Sequence, residues 1–381
     1  MRIAQLANFI GPASGGMKTA VAALARGYVD AGADRLLVVP GPTDATFSTG
    51  LGDVVQLRAP RVGSGYRLIV EPWRVLDVLQ RFGPTTIEVN DKSTLLPVTR
   101  WARRNQIGSV LFSHERLDHM LSMRMGLDTS VKVSIGLYNR LLVRNFDTIV
   151  VTSGFARAEF RLAAAAVGCP LVRVPLGVDL ETFRPAAPRD GRTHGDAPED
   201  GPLRLVHVGR LSREKSPHLA VATAVELHRR GVDVRLDVYG DGPHLDELQA
   251  IAGRAPVTFH GHVADRDELA ARVAAADVAL SVCPGETFGL AVLEALASGT
   301  PVVTAASGGA RELVDAGSGA WAPPRPTALA EAVLEVAARP EAERRAAARA
   351  RAEQFPWSAT VARMLEVHER LERPSARVVA A

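Results

Sequence analysis

At 381 residues, 47% hydrophobic and 23% charged, the chain is too long for one ordinary core and points to two water-soluble globular domains. Its net charge of +3 divides unevenly: residues 1–180 carry 21 Lys and Arg against 14 Asp and Glu, and the remainder carries 24 against 28. Two cysteines, Cys169 and Cys283, exclude a disulfide framework and fit no zinc spacing, and no apolar run reaches the about eighteen residues of a membrane span.

The chain opens on a strand-like run, "RIAQLAN", and Arg2 leads into it without a small-residue cleavage site, so no secretory leader is expected. "GPASGGMKTA", Gly11 to Ala20, then comes within one residue of a phosphate-binding P-loop. Gly11 and Gly16 have that spacing, but Met17 stands between Gly16 and Lys18-Thr19. A helical stretch, "MKTAVAALARGYVDAG", follows, with apolar residues three and four apart. Further strands are expected at "RLLVVPG", "TTIEVN", "SVLFSHE", "TIVVTS" and "VRVPLG". Strands alternating with helices imply parallel sheets covered on both faces. In "RVGSGYRLIVEPWRVLDVL", Arg61, Arg67 and Arg74 flank Tyr66 and Trp73, which suits an anionic membrane surface and equally an ordinary basic face. No known reader motif speaks for nucleic acid.

The composition changes at 184–202, rich in Pro, Gly and charge, which reads as a linker. The alternation then restarts with "LRLVHVG", "DVRLDVYG", "VTFHGH", "VALSVCP" and "PVVTAA". We therefore expect an α/β protein with a domain over 1–183, a second over 203–356, and a cleft between them. Leu329 to Gln354 reads as a charged surface helix interrupted at Pro340.

Three glycine-bearing strand ends carry the chemistry. "VHVGRLSREKSP" places Arg210 and Lys215 after a strand, where two cations suit a diphosphate, although a solvated loop would look the same. "YGDGP" offers a tight turn at Gly240. "CPGETFGLAVLEALASGTPVV" ends a buried-type strand at a loop holding Glu286 and starts a helix near Gly289 that holds Glu294. The amides at that helix start can receive anionic or hydroxyl oxygens, and carboxylates accept paired hydrogen bonds from sugar hydroxyls. Eight positions of helix rise span roughly 12 Å, wider than the pair of a glycoside hydrolase.

In company, "GRLSREKSP", "YGDGP", "FHGHV" and "ETFGLAVLEA" resemble the family 4 retaining glycosyltransferases of the GT-B fold, two Rossmann-like parallel-sheet domains facing across a cleft. The resemblance takes in the opening glycine loop, "SHERLDHM", "VPLGVDLETFRP" and "QFPWSATVARML". With "MRIAQLANFIGPASGGMKTAV" and "SHERLD", it is most similar to GDP-mannose-dependent α-mannosyltransferases acting on phosphatidylinositol mannosides. The resemblance implies that a helix at about 357–374 packs back onto the first domain. It implies that Gly15 and Gly16 face the donor phosphates without a Walker lysine, so the chain is no ATPase. Gly16 would also face the acceptor. Arg210 and Lys215 would bind the diphosphate, and Glu286 would hold the sugar, helped by the amides of Phe288, Gly289 and Leu290. Glu294 would hold the ribose, His262 and Val263 would line the base pocket through backbone, Gly240 would let the backbone approach the donor, and His114 would touch the sugar or else be a packed histidine. Asp118 would face the acceptor or pair with an arginine. The implied substrates are GDP-mannose or another nucleotide sugar and a sugar or glycolipid acceptor. No cofactor and no metal is implied, and the triplet Asp265-Arg266-Asp267 reads as a helix start instead. The chain is expected in the cytoplasm, free or peripheral on the inner face of the membrane. A UDP-sugar enzyme with a soluble acceptor, a nucleotide-sugar 2-epimerase and a non-catalytic nucleotide-sugar-binding module remain as alternatives.

Overall fold

The computed structural model describes residues 1–8, 15–62, 66–92, 96–116, 129–186 and 201–372, which leaves most of the 184–202 stretch outside it. The described residues fall into two compact units, one drawn from Met1–Asp118, Leu127–Pro175 and Trp357–Ala381, the other from Leu176–Pro356.

The first unit runs β1 (Arg2–Leu6), α1 (Gly16–Asp30), β2 (Asp34–Gly41), β3 (Ala45–Thr49), β4 (Gly52–Arg58), the short pair β5 (Arg61–Val62) and β6 (Tyr66–Arg67), α2 (Pro72–Phe82), β7 (Thr86–Val89), α3 (Leu96–Arg104), β8 (Gly108–Ser113), α4 (Thr129–Asn145), β9 (Thr148–Val151), α5 (Gly154–Val167) and β10 (Leu171–Arg173). Its eight-stranded sheet has the order β10-β9-β8-β7-β1-β2-β4-β3. Every pairing is parallel except β3 with β4, so the sheet is mixed at one edge. β7, β8 and β9 are buried along their whole length, as a parallel sheet covered on both faces requires.

The second unit runs β11 (Leu203–Val208), α6 (Pro217–Arg229), β12 (Val234–Tyr239), α7 (Leu245–Ala252), β13 (Val257–Gly261), α8 (Arg266–Ala274), β14 (Val278–Ser281), α9 (Leu290–Ala297), β15 (Val302–Ala305), β16 (Gly319–Ala322), α10 (Pro326–Ala337) and α11 (Glu341–Ala352). Its six strands are all parallel, in the order β13-β12-β11-β14-β15-β16. The expected surface helix is two helices, and neither is merely superficial. α10 buries Leu329, Val333 and Val336 in the core, and α11 buries Arg344, Ala348 and Ala352. Alanine and arginine hid this: Arg345 and Arg349 donate to the backbone carbonyls of Ala276 and Phe183.

The last helix, α12 (Trp357–Leu371), belongs to the first unit. Two glycines make room for it. A Cβ on Gly27 in α1 would lie 2.3 Å from Val361 Cγ2, and one on Gly108 would lie 2.6 Å from Leu371 Cβ. In an exposed helix interior, Gly→Ala is worth about 1 kcal/mol of added stability. At Gly27 the sign should reverse, because over-packing a close contact costs about 1–3 kcal/mol. Gly27→Ala is therefore expected to melt at a lower temperature, and adding Val361→Ala should recover most of the loss. A Gly27→Ala protein that melts higher than the parent would refute the close-packing argument.

α12 also brings His368 against a buried polar group. Glu88 on β7 is fully buried, and four donors surround its carboxylate. Gln5 Nε2 (2.9 Å) and Asn90 Nδ2 (3.1 Å) donate to Oε1, while Tyr28 O–H (2.7 Å) and His368 Nε2 (3.3 Å) meet Oε2. Burial alone would raise its pKa, but the bonds from His368, Tyr28 and Gln5 outweigh it and bring it to about 2. Glu88 is thus a carboxylate throughout the neutral range.

Candidate functional site

In the second unit the chain steps outward from β11 through β12 to β13, then crosses to β14 on the other side of β11. The loops leaving β11 and β14 therefore diverge, which opens the crevice where open α/β sheets take ligands. These two loops hold three residues singled out from the sequence: Arg210, which follows Gly209 after β11, Lys215 in a 3-10 turn beyond it, and Glu286 after β14. Lys215 and Glu286 meet across the crevice. Lys215 Nζ donates to Glu286 Oε1 at 3.0 Å and to Oε2 at 2.8 Å. Arg210 lies on the same loop, its Nη1 4.0 Å from Glu214 Oε1.

The backbone around Glu286 is fixed from the neighbouring strand's loop. Gly309 N–H donates to the Glu286 carbonyl at 2.6 Å. Gly308 has φ +93°, and a Cβ there would stand 3.1 Å from the carbonyl oxygens of both Pro284 and Glu286. The sequence reading missed this pair, although "SGGARE" carries a visible double glycine. Gly289, at φ +101°, caps α9, with Phe288 buried before it and Leu290 opening the helix. The first-turn amides of α9 therefore open beside Glu286.

Glu294 sits in α9, where Arg266 Nη2 donates to its Oε1 at 2.9 Å and the Arg266 guanidinium stacks 5.0 Å from the Phe183 ring. Burial raises the Glu294 pKa, Arg266 opposes the rise and Asp179 adds to it. Gly240, after β12, touches the β11 loop: its φ is +137°, and a Cβ would lie 2.0 Å from Gly209 O. His262 follows β13 and is exposed, with Val263 half-buried beside it. The His262 backbone N–H already donates to Asp241 Oδ2 at 3.1 Å, so a base held through backbone there has to compete with that carboxylate.

The first unit has its own divergence point. From β1 the chain moves to β2 on one side and later to β7 on the other, so the loops after β1 and β7 part there. Gly15 ends the first loop and Gly16 begins α1. Gly15 has an ordinary φ of −87°, and nothing lies within 4 Å of where its Cβ would be. Its glycine leaves open space there. Lys18 is exposed in the first turn of α1, and residues 9–14, with Gly11, lie outside the described residues. Lys18→Ala should therefore leave nucleotide affinity within about twofold, as surface changes do. A tenfold loss on titration with nucleotide would restore a phosphate-binding lysine.

His114 follows β8 directly, and its Nε2 lies 2.7 Å from Oδ1 of Asn90, the first residue after β7. The ring also packs 4.3 Å from that of Phe112. Burial lowers the His114 pKa to about 4; Glu88 pulls it upward and Lys92 pushes it further down. The imidazole is neutral at pH 7. Asp118 lies outside the described residues. Neither Asn90 nor Glu88 stood out in the sequence, because a lone Asn and Glu in "TTIEVN" read only as strand edge.

Comparison with known proteins agrees with this layout. Residues 15–177 match the model of the glycosyl transferase 4-like domain, and residues 202–339 match that of glycosyl transferases group 1. Over 370 residues, 96% of this chain and 95% of the other, the sequence is 40% identical to a GDP-mannose-dependent alpha-(1-6)-phosphatidylinositol dimannoside mannosyltransferase of Mycobacterium tuberculosis (strain ATCC 25177 / H37Ra). The chain belongs to family 4 of the retaining glycosyltransferases. Solved structures share the fold of this glycosyltransferase. Sucrose-phosphate synthase from Thermosynechococcus elongatus superposes with a TM-score of 0.77 at 22% identity, covering 97% of this chain and 99% of that one. HepE of Anabaena in complex with UDP-glucose gives 0.73 at 20% identity, covering 97% and 100%.

In this family 4 glycosyltransferase the triplet Asp265-Arg266-Asp267 starts a helix. Asp265 Oδ1 accepts from the amides of Asp267 (2.9 Å) and Glu268 (3.2 Å), so its carboxylate serves as the cap of α8. Among the described residues, no group of three or more His, Cys, Asp or Glu is placed to hold a metal ion. No described helix of the glycosyltransferase is long and apolar enough to cross a membrane.

Proposed function

We propose that this glycosyltransferase moves mannose from GDP-mannose, with retention of configuration, onto a hydroxyl of a phosphatidylinositol-mannoside glycolipid. The observation that carries the reading is the Lys215–Glu286 pair at 2.8 Å. In a nucleotide sugar, the diphosphate is bonded directly to the sugar. A cation and a carboxylate that neighbour each other at a loop crevice are matched to that junction: the diphosphate draws Lys215, with Arg210 beside it, and the sugar hydroxyls donate to Glu286. Both partners of the pair are then replaced by one ligand. Mannose, guanine and the lipid acceptor are supported by the relative's name and its 40% identity.

Charge stabilisation does most of the work in this reading. Arg210 and Lys215 take up the negative charge that grows on the departing diphosphate, while the amides of Phe288, Gly289 and Leu290 help Glu286 to hold the sugar. The leaving phosphate oxygen accepts the proton of the incoming hydroxyl on the face from which it departs. Glu294 holds the ribose, and no metal is required. A thermal-shift panel of GDP-, UDP- and ADP-sugars tests the donor, since a ligand bound to the native state raises Tm. GDP-mannose should give the largest rise. Incubation with phosphatidylinositol dimannoside should then yield a product one hexose heavier, with mannose still α-linked. Release of free sugar from donor alone, at the same rate with and without acceptor, would overturn the transferase reading.

A lipid acceptor requires a place at the membrane, and exposed apolar side chains on the first unit support that part of the reading. Phe47, Val70 and Trp73 are 50%, 56% and 57% exposed. They lie by the arginine-bearing stretch 58–81, although Arg74 is already committed to Asp44 (2.5 Å) and Glu71 (3.3 Å). Basic residues near anionic lipid contribute roughly 1 kcal/mol each. Co-sedimentation with liposomes should rise with their anionic fraction and fall in Trp73→Ala. Binding that ignores lipid charge would sink the membrane part of the proposal and leave the donor part standing.

A further inference from the structure

We propose that Glu88 and Asn90 form a buried relay that fixes His114 as the tautomer protonated on Nε2, so that Nδ1 presents a lone pair to a substrate hydroxyl. The inference deepens the reading of His114 as a residue that meets the sugar, and it rests on that reading for its catalytic consequence.

The geometry fixes each proton in turn. Glu88 is a buried carboxylate and can only accept. Of the Asn90 amide, the end that lies 3.1 Å from Glu88 Oε1 must therefore be the NH2 group. That orientation turns the carbonyl Oδ1 toward His114 Nε2, 2.7 Å away, and a carbonyl can only accept. His114 Nε2 must then carry the hydrogen. The ring is neutral, since burial brings its pKa to about 4, so Nδ1 has none. Nδ1 makes no hydrogen bond to the described residues, and what it can offer is acceptance from an O–H. A histidine in this state orients a hydroxyl and neither donates to a phosphate nor carries charge.

The relay is anchored well behind the loop. Gln5 Nε2 shares Glu88 Oε1, and Gln5 Oε1 in turn accepts from Arg35 Nε at 2.9 Å, which fixes the Gln5 amide as well. Tyr28 from α1 and His368 from α12 occupy Oε2. Thr86 Oγ1 sits 2.9 Å from His368 Nδ1. Gln5, Glu88, Tyr28, His368 and Thr86 are fully buried, and Asn90 is 2% exposed. Asn90 and Glu88 are thus positioning residues: they act on the substrate only through His114.

The test uses the full chain labelled with 15N-histidine, read by NMR, together with steady-state turnover of GDP-mannose and phosphatidylinositol dimannoside. In the parent, one histidine should show a protonated Nε2 and a bare Nδ1 at pH 7 and disappear in His114→Ala. Asn90→Leu removes the acceptor, so the two tautomers should mix and kcat/KM should fall roughly 10-fold or more, the worth of a hydrogen bond to a buried partner, while KM for the donor moves little. Asn90→Asp keeps an acceptor for His114 Nε2–H, while the oxygen that replaces the amide nitrogen, 3.1 Å from Glu88 Oε1, has to share one proton with that carboxylate, so the variant should retain the Nε2–H tautomer and recover part of kcat. A parent His114 protonated on Nδ1, or an Asn90→Leu protein with an unmixed tautomer and unchanged kcat, overturns the relay. Should Asn90→Leu fail to fold, a His114 protonated on Nδ1 in Asn90→Asp overturns it instead. If His114→Ala keeps full activity while the tautomer is as stated, the catalytic reading of His114 fails and the relay survives as structure only.

Discussion

Glu286→Gln is expected to lower kcat about 10- to 100-fold with little change in donor KM, the scale of one charge-assisted hydrogen bond at 1.5–3 kcal/mol. The sugar that Glu286 would hold gains positive charge at its anomeric carbon as the diphosphate leaves. Contacts to that sugar therefore strengthen on the way to the transition state, and their loss appears in kcat. The amide also leaves Lys215 without the carboxylate that it meets at 2.8 Å. Free GDP, which has no sugar, should bind Glu286→Gln at least as well as it binds the parent. Glu294→Gln should behave differently. Its carboxylate would hold a ribose that does not change during the reaction, so donor KM should rise and GDP affinity should fall, with kcat nearly intact. The pairing with Arg266 at 2.9 Å gives a competing account, in which Glu294 only braces α8 against α9. Under that account, Glu294→Gln lowers Tm without touching GDP affinity. Kinetics and GDP titration of both variants separate the two. Identical profiles with GDP affinity unchanged would show the roles to be misassigned.

Gly240→Ala should be nearly as damaging, by a different route. With φ at +137° an alanine is strained whatever the space, and here its Cβ would also strike Gly209 O at 2.0 Å. Neither atom can swing away, because the carbonyl oxygen belongs to backbone and the Cβ is bonded rigidly to its Cα. The β11 loop that carries Arg210 and Lys215 has to move, and a displacement of even 1 Å can cost about 100-fold in a site that depends on orientation. Donor KM should rise roughly tenfold or more, with Tm lowered by the strain. A variant that melts lower yet binds GDP as the parent does would show that the two loops are coupled only for stability.

The parallel sheets were legible because buried strands leave a periodic apolar trace. The runs at "TTIEV", "VLFS" and "TIVV" fall on β7, β8 and β9. The helix start at Gly289 was legible for a related reason, since a glycine between a strand and an apolar helical run marks a cap. β3 and β4 were not legible: "ATFST" is mostly exposed and "GDVVQLR" only half-buried, so neither shows the alternation of a strand with one buried face. The site divides in the same way. Lys215 and Glu286 lie in loops whose glycines advertise them. Glu88 and Asn90 owe their significance to Gln5 and His368, which are 83 and 280 positions from Glu88. Buried polar groups are chosen by their partners, and a linear reading does not show which partners those are.

The placement of α12 also orders how the protein is made. A ribosome releases all of residues 176–356 before it releases Trp357, yet α12 completes the first unit and leaves the second without a share in it. The second unit can close while synthesis continues, since domains fold as units as they emerge. The first unit has to wait. Until His368 arrives, Glu88 lacks a donor that helps to keep it ionised inside the core, and the grooves left by Gly27 and Gly108 stand empty. The half of the chain that is synthesised first is the last to be finished.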